Sequence, residues 1–226
     1  MVSEVILALD VPSREDALRL VDSIPEARWV KVGPVLLTGT GMGFVGELVD
    51  RSLRVFLDLK WHDIPNTVAG AVSAADNLGV AMVTVHTLGG QAMMAAAAQA
   101  AGQVSVVGVT VLTSHSSVEW AQTLGRADRP LGAEVTRLTK LGRDSGLDGV
   151  VCSPNEIESV REVVGEDSLI VTPGIRRTND AAEDQARVAT PEAAAAAGAT
   201  HLVVGRPVLR ASDPRAAFRT IQEEAG

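Results

Sequence analysis

The sequence predicts an α/β fold, a single-domain (β/α)8 barrel of the TIM type over residues 1–226. Three observations predict it. Eight short β-rich runs recur along the chain, most of them continuously apolar, as parallel strands covered on both faces must be. Helical patterns fill the intervals without a linker. The length of 226 residues falls within the range of such barrels. An open doubly wound sheet is the alternative, but no Gly-x-Gly-x-x-Gly follows the first run, which weakens a dinucleotide-binding version.

The predicted strands are Val5–Leu9, Trp29–Val32, Val55–Leu59, Met82–His86, Val104–Leu112, Gly149–Cys152, Leu169–Thr172 and His201–Val204. Helix signals separate them. Ser13 with Glu15 and Asp16 offers an N-cap and an acidic first turn. Pro65 stands where a first helical turn begins, and Thr190-Pro191-Glu192 is an N-cap, N1 proline and acid in order. Gly79, Gly102, Gly146, Gly165 and Gly198 mark helix ends, and Asp213-Pro214 opens a last helix. The longest irregular stretches are expected over 113–130 and 174–185, after strands 5 and 7, where a barrel carries its function.

Composition narrows the function. The formal net charge of -8 disfavours general binding to nucleic acid or an anionic membrane, but not an anionic small molecule held by local Lys and Arg. No run reaches the ~18 apolar residues of a membrane span, and the N-terminal run after Glu4 is too short for a signal peptide. The single cysteine, Cys152, excludes an intrachain disulfide and suits a cytoplasmic location. Its apolar setting reads as core.

Charged residues recur where strands stop: Asp10 after strand 1, Lys31 in strand 2, Asp58 and Lys60 at the end of strand 3, and Asp63 in the following turn. Two apart on one strand, Asp58 and Lys60 point to the same face, while Leu59 points toward the helices. With Lys31 beside them they suggest an alternating Lys-Asp-Lys-Asp array. Burying such charges is costly unless each is paired. Spacing alone leaves two readings, a catalytic centre or a structural ion-pair network at the barrel mouth. His62, His86, His115 and His201 are not spaced as a metal site, and His86 reads as a core or rim residue bonded to backbone.

The stretch Asp58-Leu59-Lys60-Trp61-His62-Asp63-Ile64-Pro65-Asn66-Thr67 resembles the signature of the orotidine 5′-monophosphate decarboxylase family. The pattern Asp-x-Lys-x-x-Asp followed by Ile-Pro-x-Thr is highly specific. The resemblance extends through Leu9-Asp10, Val30-Lys31-Val32-Gly33, Leu112-Thr113-Ser114, Thr172-Pro173-Gly174-Ile175-Arg176, Asp184-Gln185 and Val204-Gly205-Arg206, in the order of the bacterial branch.

That resemblance implies decarboxylation of orotidine 5′-monophosphate to uridine 5′-monophosphate, the last step of de novo UMP synthesis, without metal or organic cofactor. It implies that Lys60 donates the proton that replaces the carboxylate, that Asp58 sits against that carboxylate, and that Lys31 bridges the acids and a ribose hydroxyl. Asp10 would bind ribose. Thr113 would read the pyrimidine edge, and Pro173 would line the nucleotide site. Arg176, Gln185, Gly205 and Arg206 would hold the phosphate. Asp63, with Ile64 and Thr67, would reach into the partner's site, making a homodimer with active sites shared across the interface. Pro207 departs from the small residue common in the family and removes one backbone N–H near the phosphate.

Two rivals stand beside this reading. Sister enzymes that decarboxylate or condense sugar phosphates share Asp-x-Lys-x-x-Asp but bind magnesium and carry Glu where this chain has Lys31, a cation that opposes a divalent metal. A non-catalytic nucleotide-binding barrel is the other, although mere binding has no need of a proton donor among acids.

Overall fold

The computed structural model describes residues 2–125, 130–177 and 187–226. The strands are β1 (Glu4–Ala8), β2 (Trp29–Val32), β3 (Arg54–Trp61), β4 (Met82–His86), β5 (Ser105–Val109), β6 (Gly149–Val151), β7 (Leu169–Thr172) and β8 (His201–Val204). Each pairs in parallel with the next, and β8 pairs back onto β1, closing the predicted (β/α)8 barrel. The helices are α1 (Arg14–Ser23), α2 (Pro34–Thr40), α3 (Met42–Asp50), α4 (Pro65–Asn77), α5 (Gly90–Ala100), α6 (Ser117–Leu124), α7 (Leu131–Asp144), α8 (Ile157–Val164), α9 (Pro191–Ala196), α10 (Arg206–Leu209) and α11 (Pro214–Glu224).

Capping fixes several helix starts. Ser13 Oγ accepts from Asp16 N at 3.1 Å, Thr190 Oγ1 from Ala193 N at 3.2 Å and Asp213 Oδ1 from Ala216 N at 3.0 Å. Each such cap stabilises its helix by ~1 kcal/mol. Gly79, Gly146, Gly165 and Gly198 take positive φ at helix ends, as expected. Gly102 serves differently. A Cβ there would lie 2.3 Å from the Asp76 carboxylate, which accepts from Gln103 N and Val104 N and ties the entry of β5 to α4.

One expectation needs correcting. The stretch 113–130 is not irregular throughout, because it contains α6. Ser116 and Glu119 form a reciprocal capping box, and Trp120, 5% exposed, anchors the helix on the core. The pattern Ser-x-x-Glu before an apolar run was the available signal. Strand 5 also stops at Val109 rather than Leu112.

Period-2 alternation sorts the strand side chains into two cores. Val5, Leu7, Val30, Val55, Leu57 and Val83 face the helices and join a large outer cluster. Ile6, Ala8, Trp29, Phe56, Met82, Val107, Val171 and Val203 fill the barrel interior. Arg54 stacks on the Trp29 ring at 4.3 Å and His201 meets its edge at 5.0 Å. Continuing the same alternation, Trp29 is followed by Lys31, Phe56 by Asp58 and Met82 by Thr84. The interior face thus changes from apolar to polar toward the strand C-termini, which is where barrel sites form.

Cys152 is fully buried, and burial, then Glu156, pushes its thiol up to about 12, so it is core, not nucleophile. Among the described residues no helix is long and apolar enough to cross a membrane.

Candidate active site

The polar layer opens into a cavity of about 240 Å3 lined by side chains from β1, β2 and β3 and from the loops after β5, β7 and β8. Its floor is the top of the interior core: Ala8, Phe56, Val151 and Val203. Asp10, Lys31, Asp58, Lys60, Thr113, Pro173, Arg176, Gly205 and Arg206, all singled out from the sequence, line it. Asp63, Ile64 and Thr67 do not; they are exposed beyond the end of β3. Gln185, and the loop expected to close between Arg176 and Gln185, lie outside the described residues.

Lys31 Nζ donates to Asp10 Oδ1 at 2.8 Å and lies 3.9 Å from Asp58 Oδ2. Lys60 Nζ is 2.9 Å from both Asp58 oxygens. Within one chain the alternating row is therefore Asp10-Lys31-Asp58-Lys60; Asp63, expected as the row's last member from the partner subunit, is not part of it in its own chain. The Lys31 and Asp58 side chains are only 12% and 14% exposed, so their pairing offsets a real desolvation cost. Asp63 instead accepts from Ile64 N at 2.6 Å, fixing the turn into α4.

The expected alternation of Asp58 and Lys60 is realised by an unexpected backbone. Lys60 has φ of 51°, in the left-handed region that costs a non-glycine residue ~1–2 kcal/mol. Leu57 faces Val83 and Trp61 faces Val85, so β3 advances four residues where β4 advances two. This bulge turns the Lys60 side chain back over the barrel mouth toward Asp58. Lys60 N donates instead to Thr84 Oγ1 at 2.7 Å, and Thr84 Oγ1 in turn donates to Asp58 Oδ1 at 3.1 Å. Leu59 and Trp61 pack on the outer core, as alternation requires.

Across the cavity stand the arginines. Arg176, 7% exposed, follows β7 and donates from Nη1 to Ile175 O at 2.8 Å. Arg206 opens α10 directly after Gly205. Pro207 lies in the first turn of α10, where its missing N–H breaks no helical bond. Arg177, which had no role in the sequence reading, points away and pairs with Glu224 at 3.5 Å.

Two features escaped the sequence reading. One is Thr84. The other is a buried pair, Arg187 with Glu156, in which Arg187 Nη2 also donates to Leu112 O at 3.0 Å, next to Thr113. Glu156 is held by Ser153 N at 3.1 Å, a second Ser-x-x-Glu box that the sequence displayed. His86 accepts weakly from Leu88 N at 3.3 Å and stacks on His62. Burial, and then the neighbouring His62 and Lys60, lower its pKa to about 4, so it is a neutral rim residue near neutral pH.

A closed parallel barrel with a charge-paired row at its strand ends, and two arginines after its last strands, defines the protein as a barrel enzyme built for an anionic substrate. The chain belongs to the "Orotidine 5'-phosphate decarboxylase / HUMPS family", which matches residues 3–221. It is 52% identical to the orotidine 5'-phosphate decarboxylase of Alkalilimnicola ehrlichii, over 98% of this chain and 96% of that protein. It is 49% identical to that of Halorhodospira halophila, over 97% of this chain and 94% of that protein. A crystal structure of orotidine 5'-phosphate decarboxylase from Lactobacillus acidophilus matches it with a TM-score of 0.88 at 36% identity, covering 99% of each chain.

Proposed function

We propose that the protein decarboxylates orotidine 5′-monophosphate to uridine 5′-monophosphate, with Lys60 as proton donor and with no metal or organic cofactor. The observation that carries this reading is the Lys60 ammonium held 2.9 Å from both oxygens of Asp58, on a strained backbone, at the lip of the cavity. The relatives' activity agrees with it.

In the reaction the bond from C6 to the carboxylate breaks, and its electron pair stays on C6 as carbon dioxide leaves. The ammonium of Lys60 stabilises that pair, then gives it a proton and is reprotonated from solvent. Asp58 sits against the departing carboxylate. Two such charges ~4 Å apart at an effective dielectric of ~20 repel by roughly 4 kcal/mol, about three powers of ten in rate if wholly relieved. The fixed ammonium and its preorganised row therefore rank above this repulsion, which is a contested and limited effect.

Lys31, braced by Asp10 and Asp58, bridges the acids and a ribose hydroxyl, and Asp10 binds ribose. Thr113 meets the pyrimidine edge and Pro173 lines the nucleotide. The two arginines suit a phosphate that carries close to two negative charges, and Gly205 lets backbone approach it. Gln185 completes that phosphate site in the same reading. Binding there, remote from C6, supplies energy for organising the reacting end.

Asp63, Ile64 and Thr67 act in the partner's site in a homodimer with shared active sites. Their position outside the chain's own cavity and the 66% exposure of Ile64 support this. A cytoplasmic location goes with a nucleotide biosynthetic role.

The deciding experiment is carbon dioxide release from orotidine 5′-monophosphate, with and without excess chelator. Undiminished release under chelation is expected. No release would overturn the reading, and loss restored by magnesium would favour the metal-dependent sister chemistry that Lys31 argues against.

A further inference from the structure

We infer that Thr84 is a positioning residue for the proton donor: its buried hydroxyl holds the Lys60 backbone in the left-handed turn that aims the ammonium at Asp58. The inference rests on the proposed role of Lys60 and deepens it.

Thr84 lies on β4 two residues after Met82, so it points into the barrel above the interior core, and it is fully buried. It does not line the cavity itself and touches it through its bonds to Lys60 and Asp58. Chemistry fixes the direction of both its hydrogen bonds. An amide N–H can only donate, so the hydroxyl oxygen accepts from Lys60 N at 2.7 Å. A carboxylate accepts, so the single hydroxyl proton goes to Asp58 Oδ1 at 3.1 Å.

The result is a closed ring: Lys60 N–H to Thr84, Thr84 to Asp58, and Asp58 to the Lys60 ammonium at 2.9 Å. Both ends of Lys60 are thus linked to one hydroxyl, the amide directly and the ammonium through Asp58. This matters because Lys60 sits in the bulge, where β3 has slipped relative to β4. A residue at positive φ persists only when its surroundings over-determine it. The Thr84 hydroxyl is the one side-chain atom among the described residues that bonds both the strained amide and the carboxylate facing the ammonium.

Without the hydroxyl, the Lys60 amide loses its acceptor and the turn loses its restraint. The ammonium would then sample orientations away from C6, while the phosphate and ribose contacts stay intact. A positioning role thus predicts lost kcat with preserved binding. A merely structural role would lower the active fraction and binding together.

The test compares Thr84→Val, Thr84→Ala and Thr84→Ser with the unsubstituted protein in steady-state decarboxylation. Active sites are counted by calorimetric titration with uridine 5′-monophosphate. Val keeps the shape and Ala makes space, so a shared effect isolates the hydroxyl, even where one of the two folds poorly. The expected result is a fall in kcat per binding site of roughly 10- to 100-fold in both, corresponding to ~1.4 to ~2.7 kcal/mol. KM and affinity for uridine 5′-monophosphate should stay within about threefold, and Ser should recover kcat to within about threefold, as these changes leave the polar contacts to nucleotide in place. Normal kcat in Val or Ala overturns the inference, as does a Ser variant no better than they are, or a parallel loss of binding and turnover. Failure of the unsubstituted protein to turn over the substrate would instead overturn the functional reading, and the inference with it.

Discussion

Replacing Lys60 by alanine tests the proposed chemistry most directly. The ammonium lies 2.9 Å from the Asp58 oxygens, and an anion forming at C6 would approach it to about the same distance. At ~3 Å and an effective dielectric of ~20, the lost attraction is roughly 5.5 kcal/mol, or about four powers of ten in rate. Losing the general acid removes a further factor of about 10² to 10⁴. The two overlap, because one group performs both tasks, so a fall of at least about four powers of ten in kcat is expected. Nucleotide affinity should change far less, since Arg176 and Arg206 stand on the other side of the cavity. The assay pairs a continuous spectrophotometric measurement of substrate loss with a uridine 5′-monophosphate titration of the same preparation. A Lys60→Ala protein that keeps turnover within about tenfold of normal would refute the assignment, because no such ratio fits the loss of a 3 Å cation.

Further expectations follow from the same geometry. Lys60→Gly should be more stable to denaturant than Lys60→Ala by ~1 kcal/mol, because glycine accepts the 51° φ without strain; equal stabilities would show that the turn stores none. Mixing inactive Asp63→Asn and Lys60→Ala proteins should restore activity after subunit exchange, because one of the two hybrid sites has both wild-type residues; no recovery after confirmed exchange would place Asp63 outside the partner's site. Arg206→Ala should raise KM for orotidine 5′-monophosphate by ~10- to 100-fold yet leave the activity toward orotidine, which lacks the phosphate, almost unchanged; equal losses on both substrates would dissociate Arg206 from the phosphate. Burial, then Arg54, lowers the His201 pKa from the usual 6.5 to about 4. The unfolded chain therefore binds the extra proton in that window, so stability is full above pH 6.5 and falls as pH drops toward 4, by at most ~3 kcal/mol from this group at ~1.4 kcal/mol per pK unit. His201→Gln should flatten part of that slope in denaturant titrations, with His86 retaining its own share; an unchanged slope would refute the burial argument.

The sequence by itself determined the barrel and picked out most of the polar residues that line the cavity. Largely apolar runs such as Met82–His86 and Leu169–Thr172 matched their strands because parallel strands are buried on both faces and the signal is local. Ser13, Pro65, Thr190 and Asp213 marked helix starts because capping is satisfied within a few residues of chain. Asp58 and Lys60 were legible as a pair for the same reason. Where local signals were overlooked, as at Ser116-Glu119 and Ser153-Glu156, they were nevertheless present.

Tertiary structure alone decided the pairings between residues distant in the chain. That Lys31 is braced by Asp10, 21 positions away, and that Asp63 faces away from the chain's own cavity, depend on barrel closure and on the turn into α4. The joining of Arg187 to Glu156 and to the Leu112 carbonyl likewise links three loops that only closure brings together. Strand alternation put Asp58 and Lys60 on one face, yet it could not show that Lys60 gets there through a bulge and a positive φ. That conformation is costly locally and is held by Thr84 on the neighbouring strand. A local pattern reports what a residue prefers. The strained backbone at Lys60 is set against that preference by contacts 24 positions away along the chain, and such contacts exist only once the barrel has closed.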